Sequence, residues 1–549
     1  MPETIFIGVA WPYANGRLHF GHVVGSMLAP DIFARFHRMR GNHVLMVSGS
    51  DMHGTPITLV ADRENTSPAE VAQRYHQLSL EDLAALGMSF DLFTHTETPN
   101  HHRVVQDMFL RLLEHDYIYR QTTTAPYDPV AQRFLPDRYI EGTCPHCGFA
   151  EARGDQCDNC GRVLDPIDLI NPHSRLSGAT PQYRETEHFY FRLSAFTNRL
   201  MSWVAPKTFW RPEVYGFTTG LLREGLKDRP ITRDIEWGVP IPLPGYESKR
   251  IYVWFDAFIG YLSASIEWAE HCRGDPDAWR PFWESEEVRP YYFLGKDNIF
   301  FHTIMWPAVL MGYGGLALPH DVPANQYMTM RGSKMSKSRG IALTVNEYVT
   351  HYQPDAIRYA LTVLMPETRD TDMSHEDFIR LTNDELVATY GNFVHRVLTF
   401  THRHFAGLVP PLSQSDALDS NSLAAIANTH TTVSKLLSAC HFREALRTNM
   451  QLCVRGNRYL EERAPWKTIK TDRDRTASTL HVCLQMVAAL STLMHPFLPF
   501  SSDQLRQQLG LSTAPVSWSL PTLSTGHQLS GVTPLFHKIQ EKVEEDMTS

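Results

Sequence analysis

The sequence lacks the long apolar runs that cross a membrane, since no uninterrupted run reaches about 18 apolar residues. Its first ten residues, MPETIFIGVA, also lack the basic segment and extended apolar stretch of a secretory signal. Cysteine is scarce, and four of the eight cysteines are scattered singly, unlike a disulfide framework. These absences predict a cytoplasmic protein that makes no contact with a membrane.

The chain also has no excess of basic residues, because 51 lysines and arginines face 60 acidic residues, for a net charge of −9. Any contact with nucleic acid must therefore come from local basic and aromatic patches. The phosphate loop GxxxxGK[ST] is absent, so an ATP site would have to be built in another way.

A strand, a loop and a helix follow one another at the amino end. An apolar run at 4–10 precedes the loop WPYANG and a helical pattern to residue 40, and a second run at 43–48 ends in the polar loop GSDMHGTP. Two such units predict an open, Rossmann-type parallel sheet, whose ligand crevice lies beyond the carboxyl ends of the strands.

Further along the chain, residues 251–255 and 291–295 predict two more buried strands, the second followed by an apolar helix at 299–311. The intervening residues break into short segments rich in Pro, Gly, Cys and aromatics, which is typical of an insertion. We predict an α/β protein with a parallel-sheet domain in two halves (1–116 and 234–325), an insertion (117–233), a region with a basic loop (326–382) and a carboxyl-terminal α-helical bundle (383–549).

Two Cys-x-x-Cys pairs lie inside the predicted insertion, formed by Cys144 with Cys147 and by Cys157 with Cys160. Four thiolates at this spacing suit a tetrahedral Zn²⁺ ion, and a complete shell leaves no position for a reactive water. We predict one structural zinc ion. The alternative is four unliganded cysteines.

Two polar motifs could bind phosphate. The first, HFGH at 19–22, begins the first helix, where backbone N–H groups and the helix dipole favour an anion. The second, RGSKMSKS at 331–338, offers lysines that could hold a polyphosphate. Taken singly, HFGH also occurs by chance and in small nucleotidyltransferases, and a lysine pair is typical of a solvated basic loop.

Together, HFGH and KMSKS resemble the class I aminoacyl-tRNA synthetases, and the surrounding segments resemble the methionyl-tRNA synthetase family. Those segments are AWPYANG (10–16), GSDMHGTPI (49–57), VWFDAFIGY (253–261), FLGKDNIFFHTIMWP (293–307) and APW (464–466). They follow the family's order.

The resemblance implies that the chain activates L-methionine with ATP, releases pyrophosphate and transfers methionine to the 3′-terminal ribose of tRNA(Met). No covalent enzyme intermediate is needed, so the useful residues are donors and cations. By the family's pattern, the catalytic residues are His19, His22, Lys334 and Lys337. The ATP-binding residues, acting with Mg²⁺, are His19, Gly21, His22, Gly295, Asp297, Lys334, Ser336 and Lys337.

The same pattern implies a methionine pocket, in which the Asp51 carboxylate receives the substrate's ammonium group. An aromatic, apolar cavity suits the flexible and polarizable thioether. The methionine-binding residues by this resemblance are Ala10, Trp11, Tyr13, Asp51, Trp254, Ala257, Tyr261 and His302. Trp11 and Phe258 stand where many family members have other side chains.

The resemblance assigns the carboxyl-terminal helices to anticodon binding and residues 326–382 to stem contact. Asn392, Arg396 and Trp466 match the positions that read the CAU anticodon, with Trp466 as a stacking platform. The sequence ends without the extra dimer-forming domain of some relatives, so we expect a monomer.

Other functions remain open at this stage. A synthetase of the same class could charge leucine or cysteine, although the cysteine enzyme has an active-site zinc and these cysteines lie in the insertion. A paralogue could have lost catalysis and bind only tRNA or a partner. A small nucleotidyltransferase would account for HFGH but not for the helical bundle.

Overall fold

A computed structural model describes residues 2–136, 139–154, 157, 159–160, 164, 166–330, 343–513 and 515–540, and the backbone of 333–334. Its strands are β1 (Thr4–Val9), β2 (His43–Ser50), β3 (Leu92–His95), β4 (Ile118–Asp128), β5 (Arg133–Phe134), β6 (Ile140–Thr143), β7 (Ala152–Arg153), β8 (Ile170–Ser174), β9 (Gln182–Phe191), β10 (Arg229–Pro230), β11 (Thr232–Arg233), β12 (Arg250–Ile251), β13 (Arg289–Gly295), β14 (Ala324–Asn325), β15 (Met328–Met330), β16 (Ser333–Lys334) and β17 (Thr371–Asp372).

Its α-helices are α1 (Phe20–His22), α2 (Leu28–Met39), α3 (Thr55–Glu64), α4 (Pro68–Ala85), α5 (Pro99–Glu114), α6 (Thr197–Val204), α7 (Pro212–Glu224), α8 (Val253–Glu267), α9 (Trp306–Tyr313), α10 (Val345–Val349), α11 (Pro354–Val363), α12 (His375–Arg380), α13 (Asn392–Phe405), α14 (Ala417–Ser438), α15 (Phe442–Arg463), α16 (Pro465–Thr468), α17 (Arg473–Leu493) and α18 (Pro499–Gln508). Stretches of π-helix at Val23–Met27, Trp268–Arg273, Phe301–Met305 and Leu381–Gly391 extend or join them, and 3₁₀ turns lie at Pro166–Asp168, Leu193–Phe196, Arg280–Phe282 and Lys296–Asn298.

The central sheet is parallel and has the strand order β14-β13-β1-β2-β3. Strand β13 pairs with β1 although the insertion separates them in the sequence, so the sheet is assembled from both halves of the chain. The predicted α/β class and the split parallel-sheet domain are confirmed.

The side chains of β1 alternate between two apolar clusters, as successive residues of a strand point to opposite faces of a sheet. Ile5, Ile7 and Val9 pack into a cluster that includes α2 and the carboxyl-terminal helices. Phe6 packs into a second cluster with α8 and α9. Because both faces are covered, β1 is a near-continuous apolar run rather than an alternating one.

The predicted strand at 251–255 is wrong. Only Arg250–Ile251 is a strand, paired with β11, and the helix α8 begins at Val253. A short apolar run has no period that separates a buried strand from a buried helix, and α8 is buried on most sides. The predicted strand at 291–295 and the apolar helix after it are confirmed.

The insertion is built from antiparallel strands. Strands β4 and β9 form a long pair, flanked by β5 and β10, and β6 pairs with β7 and β8 in a small separate sheet. The cysteine pairs border this small sheet, since Cys144 directly follows β6. An antiparallel module with its own apolar cluster thus interrupts the parallel sheet.

The carboxyl-terminal part is a helical bundle in which α14, α15 and α17 pack against one another. Helix α17 is the one described helix that is long and apolar enough to cross a membrane by length and composition. Its apolar stretch is 94% buried, which is typical of a core helix. Helix α17 therefore supplies the centre of the bundle.

Arg358 on α11 is fully buried and joins three parts of the chain. Its guanidinium donates to the Asp31 carboxylate on α2 (2.6 Å) and to the Leu86 carbonyl (3.2 Å). It also donates to the carbonyls of Pro496 (3.1 Å) and Phe497 (2.7 Å), just before α18. The sheet's covering helix and the bundle are therefore tied to the same side chain.

We expect Arg358→Leu to lower the free energy of unfolding by about 3 kcal/mol, the low end for breaking a buried ion pair, because the buried Asp31 carboxylate would keep only Arg35 as a cationic partner. Denaturant titration followed by circular dichroism measures the change. The control is Arg447→Leu, whose exposed pair with Glu444 should contribute less than about 1 kcal/mol. A loss for Arg358→Leu no larger than that of the control would contradict this role.

Candidate functional site

A cleft of about 750 Å³ lies at the carboxyl ends of β1, β2 and β13. The loop after β1 is joined to the end of β2, since the Asp51 N–H donates to the Pro12 carbonyl (2.8 Å) and the Ala14 N–H donates to the Asp51 carbonyl (2.9 Å). The structure brings together in this cleft Ala10, Trp11, Tyr13, Asp51, Trp254, Ala257, Tyr261 and His302, predicted for methionine, and His19, Gly21, His22, Gly295 and Asp297, predicted for ATP.

One wall of the cleft is aromatic, with the Trp254 and Phe301 rings 4.2 Å apart. At its buried end, His302 Nδ1 donates to the Asn298 carbonyl (2.9 Å), so Nε2 accepts from the Tyr261 hydroxyl (2.7 Å). Burial lowers the pKa of His302 to about 4. The imidazole is therefore neutral, and this end of the cleft carries polar atoms without a charge.

Trp11 fits the cleft because two glycines leave room for its indole. A β-carbon on Gly49 would lie 2.4 Å from the Trp11 ring, and one on Gly260 would lie 2.7 Å from it. Both distances are too short for non-bonded carbon atoms, so the large side chain at position 11 requires glycine on both sides. Phe258, the other departure from the family pattern, is 3% exposed and packs 5.2 Å from the Trp306 ring.

The HFGH histidines lie at the beginning of a long helix. His19 precedes α1, which continues through the π-helical stretch into α2. The His19 and His22 rings are 3.7 Å apart, and the His19 backbone N–H donates to His22 Nδ1 (3.3 Å). Two imidazoles and a helix N-terminus at one side of the cleft form a suitable environment for an anion.

Of the KMSKS segment, Ser336 and Lys337 lie outside the described residues. Lys334 lies in β16, whose backbone pairs antiparallel with β15. Strand β15 begins at Met328, which lines the cleft. The backbone of Lys334 is thus attached to the strand that reaches the cleft.

A buried polar network lies behind Asp51, and no sequence motif indicates it. His53 Nδ1 is 2.8 Å from Asp256 Oδ2, and His53 Nε2 is 2.6 Å from Glu97 Oε2. The backbone N–H of His53 donates to Asp51 Oδ1 (3.0 Å). GSDMHGTPI and VWFDAFIGY contained two of these residues, but nothing in the sequence indicated that they meet. Other lining residues that were not predicted include Asn15, Asn298 and Phe301, which lie inside family-like segments, and Ser26, Gln326 and Tyr327, which lie outside them.

The four sulfur atoms of Cys144, Cys147, Cys157 and Cys160 lie within 4.8 Å of one another. Cys144 Sγ is 3.9 Å from Cys160 Sγ, and Cys147 Sγ is 3.6 Å from Cys157 Sγ. A tetrahedron with metal–sulfur bonds of about 2.3 Å has edges of about 3.8 Å. The cluster could therefore hold one metal ion, and its ligand chemistry is consistent with zinc.

In the bundle, the structure places the Arg396 guanidinium over the Trp466 ring, 5.3 Å from the ring centre, and pairs it with Glu461 (2.7 Å). Trp466 is 39% exposed. Asn392 is exposed at the start of α13, one turn before Arg396. An exposed aromatic face beside donors is the chemistry that reads an unstacked base.

Comparisons with known proteins cover the whole length. Residues 5–398 match the family of class I (M) tRNA synthetases, and residues 409–549 match the anticodon binding domain of methionyl tRNA ligase. The chain is 52% identical over 551 residues to a methionine–tRNA ligase of Dehalococcoides mccartyi, covering 100% of this chain and 99% of the relative. It is 49% identical over 580 residues to that of Roseiflexus castenholzii, covering 99% and 98%.

The fold is similar to that of Mycobacterium tuberculosis methionyl-tRNA synthetase solved in complex with methionyl-adenylate. The TM-score is 0.81 at 25% identity, and the match covers 98% of this chain and 100% of that one. Agreement from end to end excludes a small nucleotidyltransferase, which would share only the sheet. The chain therefore belongs to the methionyl-tRNA synthetase family of class I synthetases, and its activity is the ATP-dependent ligation of methionine to tRNA.

Proposed function

We propose that methionine and ATP react in the cleft at the carboxyl ends of β1, β2 and β13. The supporting observation is that residues predicted separately for the two substrates line one cleft. The methionine carboxylate attacks the α-phosphorus of ATP, which gives methionyl-adenylate and pyrophosphate. The terminal ribose hydroxyl of tRNA then takes the methionyl group and releases AMP. Neither step uses a protein nucleophile, so the residues act by positioning and by charge.

In this proposal, the Asp51 carboxylate binds the ammonium group of methionine. The thioether lies against the aromatic wall formed by Trp254 and Phe301, where its polarizable sulfur gains dispersion contacts. The hydrogen-bonded pair Tyr261 and His302 closes the far end. Because His302 is neutral, this end does not favour a charged side chain in place of the thioether.

His19 and His22 contact the ATP phosphates in this proposal, beside the amino end of their helix. Gly295 and Asp297 hold the ribose, at the end of β13. Lys334 and Lys337, with Ser336, stabilise the charge that develops on the pyrophosphate. Mg²⁺ brought in with ATP would neutralise part of the negative charge of the phosphates beside these residues.

We propose that the four cysteines hold one structural Zn²⁺ ion. Their shell is complete, so the metal would fix the loops of the small sheet rather than activate water. Backbone N–H donation from Phe149 and the Asn159 amide lower the pKa of Cys147 to about 6, which favours the thiolate that binds metal. Tyr139, in the same apolar cluster, also hydrogen-bonds Thr58 on α3 (2.9 Å), so the metal module touches the sheet domain.

Asn392, Arg396 and Trp466 read the CAU anticodon of tRNA(Met) in this proposal. Trp466 stacks on an unstacked base, and the other two donate hydrogen bonds. We also propose that the five-part division predicted at 1–116, 117–233, 234–325, 326–382 and 383–549 describes the domains. We propose that the chain acts in the cytoplasm as a monomer and does not bind a membrane.

Amino-acid-dependent ATP–pyrophosphate exchange tests the activation step. Methionine should support strong exchange, whereas leucine and cysteine should not. His22→Asn should lower kcat by about 10²–10³-fold if the imidazole stabilises developing charge. His43→Asn, at an exposed histidine outside the cleft, is the control and should retain exchange. Exchange with none of the amino acids would favour the tRNA-binding paralogue.

Trp466→Ala tests the anticodon site. We expect it to weaken tRNA binding by about 1–3 kcal/mol, the contribution of one stacked base, while methionine-dependent exchange without tRNA stays near normal. The readouts are the KM for tRNA in aminoacylation and the exchange rate. Phe217→Ala, at another exposed aromatic, should leave both unchanged. Equal loss of aminoacylation and exchange would contradict the proposed role.

Metal analysis tests the cysteine site. The purified chain should contain about one zinc ion, and Cys147→Ser should lose it, because three thiolates leave the tetrahedral shell incomplete. Mass spectrometry measures the zinc content of each variant, and thermal unfolding measures the stability that is lost with the metal. Cys272→Ser, at an exposed cysteine outside the cluster, should keep the zinc. Zinc bound equally by both variants would show that the cluster is not the metal site.

A further inference from the structure

His53 lies directly behind Asp51, between two carboxylates. Its Nδ1 faces Asp256 and its Nε2 faces Glu97, at 2.8 and 2.6 Å. The side chain is 1% exposed, so water has little access to it. Ionised carboxylates only accept hydrogen bonds, and a neutral imidazole donates from one nitrogen. Two such partners are satisfied together when both nitrogens carry hydrogen, which is the imidazolium.

The surrounding groups support this charge. Burial lowers the pKa of His53, but the Asp256 carboxylate and the hydrogen bonds to Asp256 and Glu97 raise it to about 10. Burial lowers the pKa of His95 and of His101, so these neighbours are mainly neutral. Six ionisable groups face His53 from the elements packed around it. They are Asp51 after β2, His95 on β3, Glu97 in the loop before α5, His101 and His102 on α5, and Asp256 on α8.

The state of Asp51 depends on that cation. Burial and the Asp256 carboxylate raise the pKa of Asp51 well above its ordinary value, and the charge and backbone N–H of His53 limit that rise. Without the imidazolium, two buried carboxylates would repel each other and one would take up a proton. A protonated Asp51 would no longer attract an ammonium group.

We propose that His53 is a positioning residue for methionine: its imidazolium keeps the Asp51 carboxylate ionised and directed toward the substrate's ammonium group. This inference rests on the proposed role of Asp51. His53 acts through Asp51 rather than on the substrate, because it lies behind the carboxylate and is not among the described residues that line the cleft.

Calorimetric binding of methionine between pH 6 and 9 tests the proposal on the full chain. Methionine binding weakens on acidification as Asp51 takes up a proton, and in His53→Gln this loss should begin at a higher pH. Each pH unit below the new pKa of Asp51 should lower the affinity for methionine about tenfold. The alkaline limb, set by the methionine amine, should not move. kcat for exchange at saturating methionine should change much less than KM. Weakening by the same factor at every pH would overturn the proposal.

An analogue with hydrogen in place of the ammonium group separates this role from general damage to the pocket. His53→Gln should change the affinity for the analogue by less than about twofold. When His53→Gln is added to Asp51→Asn, it should lower the affinity for methionine by less than about a further twofold. His37→Gln, at a buried histidine on α2, is the matched control and should bind methionine as the wild type does. Equal losses for methionine and the analogue would overturn the proposal.

The Asp51→Asn variant distinguishes failure of the proposed role of Asp51 from failure of the proposed role of His53. If it binds methionine normally, the proposed role of Asp51 fails. If it binds weakly while His53→Gln is normal, only the role of His53 fails. Should His53→Gln not fold, neutron diffraction from wild-type crystals at pH 8 should show hydrogen on both His53 nitrogens. A single hydrogen, or a metal ion bound by His53, Glu97 and His102, would overturn the proposal.

Discussion

A buried guanidinium holds the parallel sheet and the helical bundle in one arrangement. Arg358 is enclosed by the Asp31 carboxylate on α2 and by main-chain carbonyls before α18. Separating these partners would leave the buried guanidinium without its carboxylate and its carbonyl acceptors, while Asp31 kept only its pair with Arg35, which is strongly unfavourable. Because α2 continues the helix that begins beside His19, the His19 side of the cleft and the bundle are connected through one continuous helical segment. Arg211, directly before α7, adds a second connection by donating to the carbonyls of Ala324 and Cys440.

The cleft shows how neighbours decide the charge of buried histidines. His302 meets a carbonyl and a hydroxyl, and burial keeps it neutral beside the proposed thioether site. His53 meets two carboxylates, which keep it charged beside the proposed ammonium site despite equal burial. One end of the cleft is therefore uncharged, and the other is charged, which matches the two ends of an amino acid with an uncharged side chain.

The sequence allowed the sheet and most of the cleft to be predicted, because motif-bearing loops follow strands whose carboxyl ends meet at one edge. Asp51 and Tyr261 were predicted to share a pocket only through the resemblance to methionyl-tRNA synthetases, since Tyr261 lies on α8 rather than in a loop after a strand. The network around His53 could not be predicted, since Glu97 and Asp256 come from distant segments and carry no spacing signal. The run at 251–255 fits a strand as well as the start of α8, because an apolar stretch of that length has no distinguishing period. The fit of Trp11 depended on two glycines that no local pattern connects to it.

The packing of Trp11 has an evolutionary consequence. Its indole occupies space that β-carbons at Gly49 and Gly260 would otherwise fill, so the three positions are linked by volume although they are far apart in the sequence. A lineage that gains a side chain at Gly260 must first lose bulk at position 11, and the reverse order creates an overpacked intermediate. At Gly49 a smaller residue 11 is not sufficient, because a new β-carbon would also lie 2.5 Å from the Thr94 carbonyl oxygen. Substitutions at positions 11 and 260 should therefore spread together while position 49 stays glycine, and the shape of the pocket changes by steps rather than gradually.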